Sequence, residues 1–287
     1  MSAAIAVRPR RSSGRMRATV KYTLLTLFAI PWVGIPLWLV VVNSWKTQGE
    51  AARLSLGLPE QWAIVENYAA VFTTGNYLTG LRNSLLVAIP TIVVVLLLGS
   101  AAAWAYARST SRSFQAFFYL TSLSILLPPA VIPTIFVLTT LGLDGSIAGY
   151  ALMMMGTRLG IAVFLITGFI RGIPPELEEA AAIDGASRRR IFFSLMLPLL
   201  RPVLFVGGVL LVITVWNDFF FGVLLLKTSA NATLPLTLYS FASASTSSLR
   251  WNLVFAHVVM TSLPLIVAYL VSQRQVLAGL TEGGVKG

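Results

Sequence analysis

Arg171-Gly-Ile-Pro-Pro-Glu-Leu-Glu-Glu-Ala-Ala-Ala-Ile-Asp-Gly-Ala-Ser-Arg-Arg-Arg-Ile-Phe-Phe-Ser-Leu-Met-Leu-Pro198 is a polar island between two apolar runs. It reads as a helix, a break and a second helix. Pro174-Pro175 suits a helix start, where proline gives up no N–H that the helix needs. Glu176, Glu178 and Glu179 fall in the first turn and complement the positive end of the dipole. Ala180, Ala181 and Ala182 favour helix and keep its surface slim. Asp184-Gly185 ends it, the glycine supplying a left-handed cap. Residues 187–197 then form a basic, later apolar, helix that stops at Pro198. A slim helix of this kind fits a partner's groove, with a carboxylate placed for a partner's arginine. It fits equally an amphipathic connector lying on a membrane.

The surroundings decide that a membrane is involved. The chain has 287 residues, 56% of them hydrophobic and only 11% charged. An ordinary soluble domain carries about 25% charged residues. Mean hydropathy is +0.82. So few charges cannot cover a soluble globule of this size. Six stretches are long enough to cross ~30 Å of hydrocarbon, which takes about 20 apolar residues. They are 22–43, 81–107, 114–141, 147–170, 199–226 and 251–272. The first is no signal peptide. It outruns the roughly 7–15 residues of a signal's apolar core, contains Pro31 and Pro36, and ends in Asn43-Ser44-Trp45-Lys46 with no small-residue cleavage site.

The expected architecture is therefore an all-α membrane protein with six transmembrane helices. Lys and Arg orient it. Fifteen lie in 1–21, 108–113, 171–201 and the tail, against five in the alternate segments: Lys46, Arg53, Arg82, Lys227 and Arg250. Both termini are thus expected in the cytoplasm. The organisation expected is a basic N-terminus at 1–21, a first span at 22–43 and an outer loop at 44–80. A core of five spans follows at 81–272, with the cytoplasmic loop 171–198 inside it and a tail at 273–287. The net charge of +11 reflects this topology bias and calls for no nucleic-acid partner. The outer loop 227–250 is rich in Ser, Thr and Ala and reads as a solvated connector or a flexible contact loop. Its sequon, Asn231-Ala232-Thr233, is the kind of short match that chance produces.

Three ionisable residues lie inside spans, where they are costly and usually functional: Arg158, Asp218 and His257. At 1.5 Å per residue all three fall ~9–16 Å below the outer ends. The expectation is a polar layer, joined by Asn217 and Trp216, with Arg158 and Asp218 close enough to pair. Such a layer either faces a translocation path or locks helices together. Gly156-x-x-x-Gly160 and Gly168-x-x-x-Gly172 allow close helix packing. Pro128, Pro129, Pro133 and Pro264 are expected to kink their spans. Cysteine is absent and His257 is the sole histidine, which excludes disulfides and thiolate or multi-His metal sites. None of the four lysines stands in a Gly-x-x-x-x-Gly-Lys-Ser/Thr context, so no P-loop is present.

The order Glu179-Ala180-Ala181, three residues, Gly185, nine residues, then Leu195-Met196-Leu197-Pro198 resembles the EAA loop of ABC importer permeases, with Leu195 where Ile is usual. Trp216-Asn217-Asp218-Phe219 and Thr233-Leu-Pro-Leu236 resemble runs of the carbohydrate, maltose-type permeases. So does the tail Gly279-Leu280-Thr281-Glu282-Gly283-Gly284-Val285-Lys286-Gly287, with Glu282 where a small residue is usual. The likeness runs from about residue 80 to the end; residues 1–80 agree only in topology.

The resemblance implies the type I ABC importer permease fold and a place in a bacterial inner or plasma membrane. It implies a second permease chain, an ABC ATPase dimer beneath, a binding protein outside, and membrane lipid around. ATP and Mg would sit on the ATPase, with no cofactor and no catalysis on this chain. Glu179, Ala180, Ala181, Asp184, Gly185, Leu195 and Pro198 would couple to the ATPase. In the tail, Gly279, Leu280, Thr281, Gly284 and Lys286 would touch it. Arg158, Trp216, Asn217, Asp218 and His257 are the candidate translocation path. Two alternatives stand beside a sugar cargo. One is another solute, such as glycerol phosphate, for which Arg158 is the one cation available in the path. The other is an ion-coupled carrier using Asp218 and His257, which leaves the loop unexplained.

Overall fold

The computed structural model describes residues 12–127, 129–243 and 249–284, with side chains from 19 to 273. Every regular element among them is helical. Along the chain run α1 (Ser12–Ala29), a π-helical turn (Ile30–Gly34), α2 (Ile35–Asn43), α3 (Gln48–Ala51), α4 (Ile64–Thr73) and α5 (Tyr77–Arg108). Next come α6 (Arg112–Leu123), α7 (Val131–Thr140), α8 (Ile147–Arg171), α9 (Glu176–Ile183) and α10 (Arg188–Arg190). After a second π-helical segment (Ile191–Met196) follow α11 (Leu197–Leu199), α12 (Arg201–Trp216) and α13 (Phe220–Leu225). A 3-10 turn (Ser229–Asn231), α14 (Leu234–Ser243) and α15 (Trp251–Gly284) complete the order.

Four helices are long and apolar enough to cross a membrane: Thr19–Asn43, Tyr77–Arg108, Ile147–Arg171 and Trp251–Gln273. A fifth crossing is available if Arg188–Leu199 and Arg201–Trp216, bent by 72°, count as one. Pro198 and Pro202 bracket that bend. Each removes an amide donor from the ladder and crowds the preceding turn. The stretch 114–141, expected as one span, is two helices instead. At 1.5 Å per residue α6 is ~18 Å long and α7 ~15 Å, so neither crosses alone. Pro129 lies in the break between them, where it offers no amide to a helical ladder. Pro128 lies outside the described residues, Pro133 sits in the first turn of α7, and α15 runs on through Pro264. The stretch 199–226 is likewise interrupted, at Asn217 to Phe219, so Asp218 sits in a break and not within a helix.

The chain forms two compact units, Met1–Val71 with Ala244–Met260, and Phe72–Ser243 with Thr261–Gly287. The first is held by a buried polar knot at the end of α2. Asn67 donates to the carbonyls of Ser44 (2.9 Å) and Lys46 (2.8 Å), and Asn252 donates to Asn67 Oδ1 (2.7 Å). Lys46, counted above as a topology charge, is only 1% exposed. Its ammonium donates to Ser55 O (2.7 Å), Ser55 Oγ (2.8 Å) and Asn43 Oδ1 (3.2 Å). Burial pushes its pKa below the ordinary lysine value, with the charge of Glu50 acting the other way. Trp45 meets Trp38 edge-on and stacks on Trp62, both at 5.9 Å.

The second unit is built on α5 packed along α8. Its core gathers Val95 and Ala103 from α5, Ala162, Ile166 and Ile170 from α8, and Ile191, Phe192, Met196 and Leu200 from the loop and bend. Lipid already solvates apolar side chains, so close fit and not burial alone selects the pairing. Gly99 meets Ala162 at that seam. Of the four glycines in the two G-x-x-x-G patterns, Gly160 alone lies against another element. A Cβ there would clash with Ser124 Oγ and stand 2.8 Å from Thr121 O. Buried hydroxyls turn back onto their own helices, Ser100 to Leu96 O and Thr167 to Val163 O, both at 2.6 Å.

Candidate functional site

Two polar constructions stand out in the second unit, one at the loop and one between helices. At the loop, α9 begins where expected, with Pro175 O accepting from Glu178 N–H (3.0 Å) and Glu179 N–H (3.1 Å). It also ends where expected. Gly185 adopts φ +81°, Ala186 N–H reaches Ala181 O and Gly185 N–H reaches Ala182 O, each at 3.0 Å. That pair of bonds satisfies the last carbonyls of the helix, and the left-handed residue makes it possible. Ser187 Oγ then caps the next helix by accepting from Arg190 N–H.

The two faces of α9 differ. Glu179, Ala180, Asp184 and Gly185 are exposed, and Ile183 is 85% exposed. Ala181 is half-buried against the core, as are Leu195 and Leu197 of the following segment. Pro198, also half-buried, marks the bend. Glu178 turns inward, a role the sequence reading missed. Its Oε2 accepts from Trp104 Nε1–H (2.7 Å) and its Oε1 from Arg108 Nε–H (2.8 Å). The seven loop residues named from sequence thus divide into an outward set around Glu179 and an inward set of Ala181, Leu195 and Pro198.

The second construction centres on Asp218. Its Oδ1 accepts from the Tyr150 hydroxyl (2.7 Å) and from Gly222 N–H (3.2 Å). Its Oδ2 lies 3.8 Å from Arg158 Nη2, an ion pair without a hydrogen bond. The side chains are 8% and 24% exposed. Arg158 lines a cavity of about 790 Å³ with Ser124, Thr134, Met153 and Thr157. Its Nε is buried and has no hydrogen-bond partner among the described residues, and the same holds for Trp216 Nε1. Asn217 donates to Ile213 O of its own helix (2.9 Å) and stays exposed. His257 is buried in the first unit. The structure therefore joins Arg158 and Asp218 and adds Tyr150. The signal for Tyr150 was available: a tyrosine buried in an apolar helix needs a partner for its hydroxyl.

The loop after α13 is pinned from 227 to 234. Lys227 pairs with Asp144, and Asn231 donates to Gly145 O (2.8 Å). Asn83 donates to Ala230 O (2.8 Å) and Ala232 O (2.9 Å), and Ser84 Oγ accepts from Leu234 N–H (2.9 Å). The sequon's Asn231 is thus engaged and its Thr233 buried. Of the tail, Gly279, Leu280, Thr281 and Gly284 continue the backbone of α15. Their side chains, and Lys286 altogether, lie outside the described residues.

Residues 83–277 match the family described as binding-protein-dependent transport system inner membrane component. The diacetylchitobiose uptake system permease protein NgcG of Streptomyces coelicolor is 30% identical over 278 residues, covering 96% of this chain and 91% of that one. The probable starch degradation products transport system permease protein AmyC of Thermoanaerobacterium thermosulfurigenes is 30% identical over 273 residues, covering 93% and 97%. Among solved structures, a chain of a bacterial ABC transporter that imports the acidic polysaccharide alginate superposes with a TM-score of 0.78. It is 21% identical and is covered to 99%, with 93% of this chain.

Proposed function

This chain belongs to the binding-protein-dependent transport system inner membrane components, and from that membership we propose a permease subunit of an ATP-driven carbohydrate importer in the bacterial plasma membrane. Relatives named for chito-oligosaccharide and starch-derived cargoes support the sugar class. The chain forms half of the path and takes an oligosaccharide or disaccharide from a binding protein. A second permease completes the path, and an ABC ATPase dimer beneath carries the ATP and Mg.

Six crossings are proposed: the four long helices, the bent pair at Pro198, and α6 with α7 together. Both termini then face the cytoplasm, with segment boundaries at 1–21, 22–43, 44–80, 81–272 and 273–287. The tail around Gly279 to Lys286 reaches the ATPase. ATP-driven closure of the ATPase moves α9 and opens the cavity at Arg158 outward; hydrolysis resets it. Trp216, Asn217 and Asp218 line or brace that path.

The observation that carries this reading is the outward face of α9. An apolar Ile183 at 85% exposure beside the free-standing Glu179 carboxylate fits insertion into a partner's groove. Against an ion-coupled carrier, Asp218 Oδ1 is taken by Tyr150 and Gly222 and its Oδ2 faces Arg158, an arrangement that suits a brace between segments. Against a phosphate cargo, the charge of Arg158 is opposed by Asp218. Purification of the tagged chain from native membranes tests the reading. The wild type is expected to bring down an ATP-hydrolysing chain, and Glu179→Arg to lose it. A wild type that brings down none contradicts the importer assignment.

A further inference from the structure

We propose that Glu178 is a positioning residue that clamps α9 to the end of α5, so that the short helix moves as a rigid lever with the bundle. This rests on the importer reading, in which a partner pushes on α9. The covalent chain attaches α9 through two turns, at Pro174-Pro175 and at Asp184-Gly185, and both are joints where a short helix could pivot. Glu178 bridges past them. Trp104 and Arg108 stand four residues apart on α5, hence one above the other on the same face. Each donates to a different oxygen of Glu178, at 2.7 and 2.8 Å.

Arg108 extends the grip, its Nη2 donating to Ile173 O (2.9 Å) just before the Pro174 joint. The Trp104 ring stacks on Phe192 at 5.7 Å, which ties in the segment after the Gly185 joint. One turn of α5 therefore holds both flanks of α9 and its inward carboxylate. The Glu178 and Arg108 side chains are 13% and 22% exposed, so the pair is substantially shielded from solvent. Charge-assisted bonds in two directions resist rotation as well as separation. The adjacent carboxylates thus divide the work. Glu179 faces the partner, and Glu178 converts the partner's thrust into motion of the spans.

The chain has no cysteine, so Thr157→Cys places a single reporter thiol in the cavity beside Arg158. Its reaction with a membrane-impermeant maleimide is measured in the purified complete importer, with and without ATP and vanadate. The reporter importer is expected to change its labelling rate by about fivefold or more on nucleotide trapping, the lower range of allosteric coupling. Adding Glu178→Gln, or separately Trp104→Phe, is expected to keep ATPase recovery and hydrolysis but bring that response below about twofold. Trp104→Phe keeps an aromatic ring beside Phe192 and removes the N–H donor, so it serves if Glu178→Gln fails to fold. A full response in both variants overturns the clamp. Loss of ATPase recovery in Glu178→Gln, as in Glu179→Arg, overturns it too, since Glu178 would then belong to docking. No response in the reporter importer itself overturns alternating access at this cavity, and the clamp's premise with it.

Discussion

The loop 171–198 and the Asp218 cluster are both charged islands in an apolar chain, but they carry their charge differently. The loop spends two adjacent carboxylates in opposite directions, Glu178 into the bundle and Glu179 outward. The cluster turns everything inward: Asp218 takes Tyr150, Gly222 and Arg158, and no oxygen is left over. In the importer reading, the region that meets another molecule keeps an unspent group at its surface. A region that must hold helices together in lipid satisfies its polar groups internally, because unpaired ones are expensive there.

The contrast can be broken at several points. Asp218→Ala should do most damage, leaving Arg158 without its counter-charge and the Tyr150 hydroxyl and Gly222 amide without their acceptor. Two hydrogen bonds to a charged acceptor go with it, at about 2 kcal/mol each, read as a lower thermal midpoint in detergent and poor recovery. Tyr150→Phe should cost about 2 kcal/mol by the same measurement, the worth of one hydrogen bond to a charged group. Gly185→Ala forces a Cβ into a left-handed position at about 1 kcal/mol. Its effect should be local, seen as faster hydrogen exchange across α9 with the midpoint nearly unchanged. Arg158→Met should cost least, under about 1 kcal/mol, because its ion pair is loose. A midpoint loss for Arg158→Met equal to that of Asp218→Ala would make the pair, and not the Tyr150 bond, the core of the cluster. Exchanging the two charges should not restore stability, since an arginine at 218 would face two donors, Tyr150 and the Gly222 amide.

What could be read from the sequence followed the range of the interactions. The loop's helix and its Gly185 cap depend on neighbours a few residues away, and both stand as expected; the second helix, expected to stop at Pro198, runs through it to Leu199 and bends at Leu200. The long spans α5 and α8 follow from run length alone. The breaks in 114–141 and 199–226 were harder, because apolar runs continue through them and only local backbone conformation interrupts the helix. Lys46 misled in another way. A lysine just past a span reads as a topology charge, yet Ser55 and Asn43 enclose it. The pairings of Tyr150 and Trp104 were invisible for a shared reason: their partners, Asp218 and Glu178, are 68 and 74 residues away. The choice of Glu179 over Glu178 as the partner-facing residue came from the resemblance; in the structure Glu179 is exposed and Glu178 is half-buried.

Cross-linking from α9 tests the central claim most directly. Ile183→Cys, carrying a benzophenone maleimide, is irradiated in native membranes beside Thr157→Cys treated alike. The account predicts one heavier adduct from position 183 that contains an ATP-binding chain, and none from position 157. An adduct-free position 183 in membranes where the importer remains assembled, or capture of the ATPase from position 157, would contradict it.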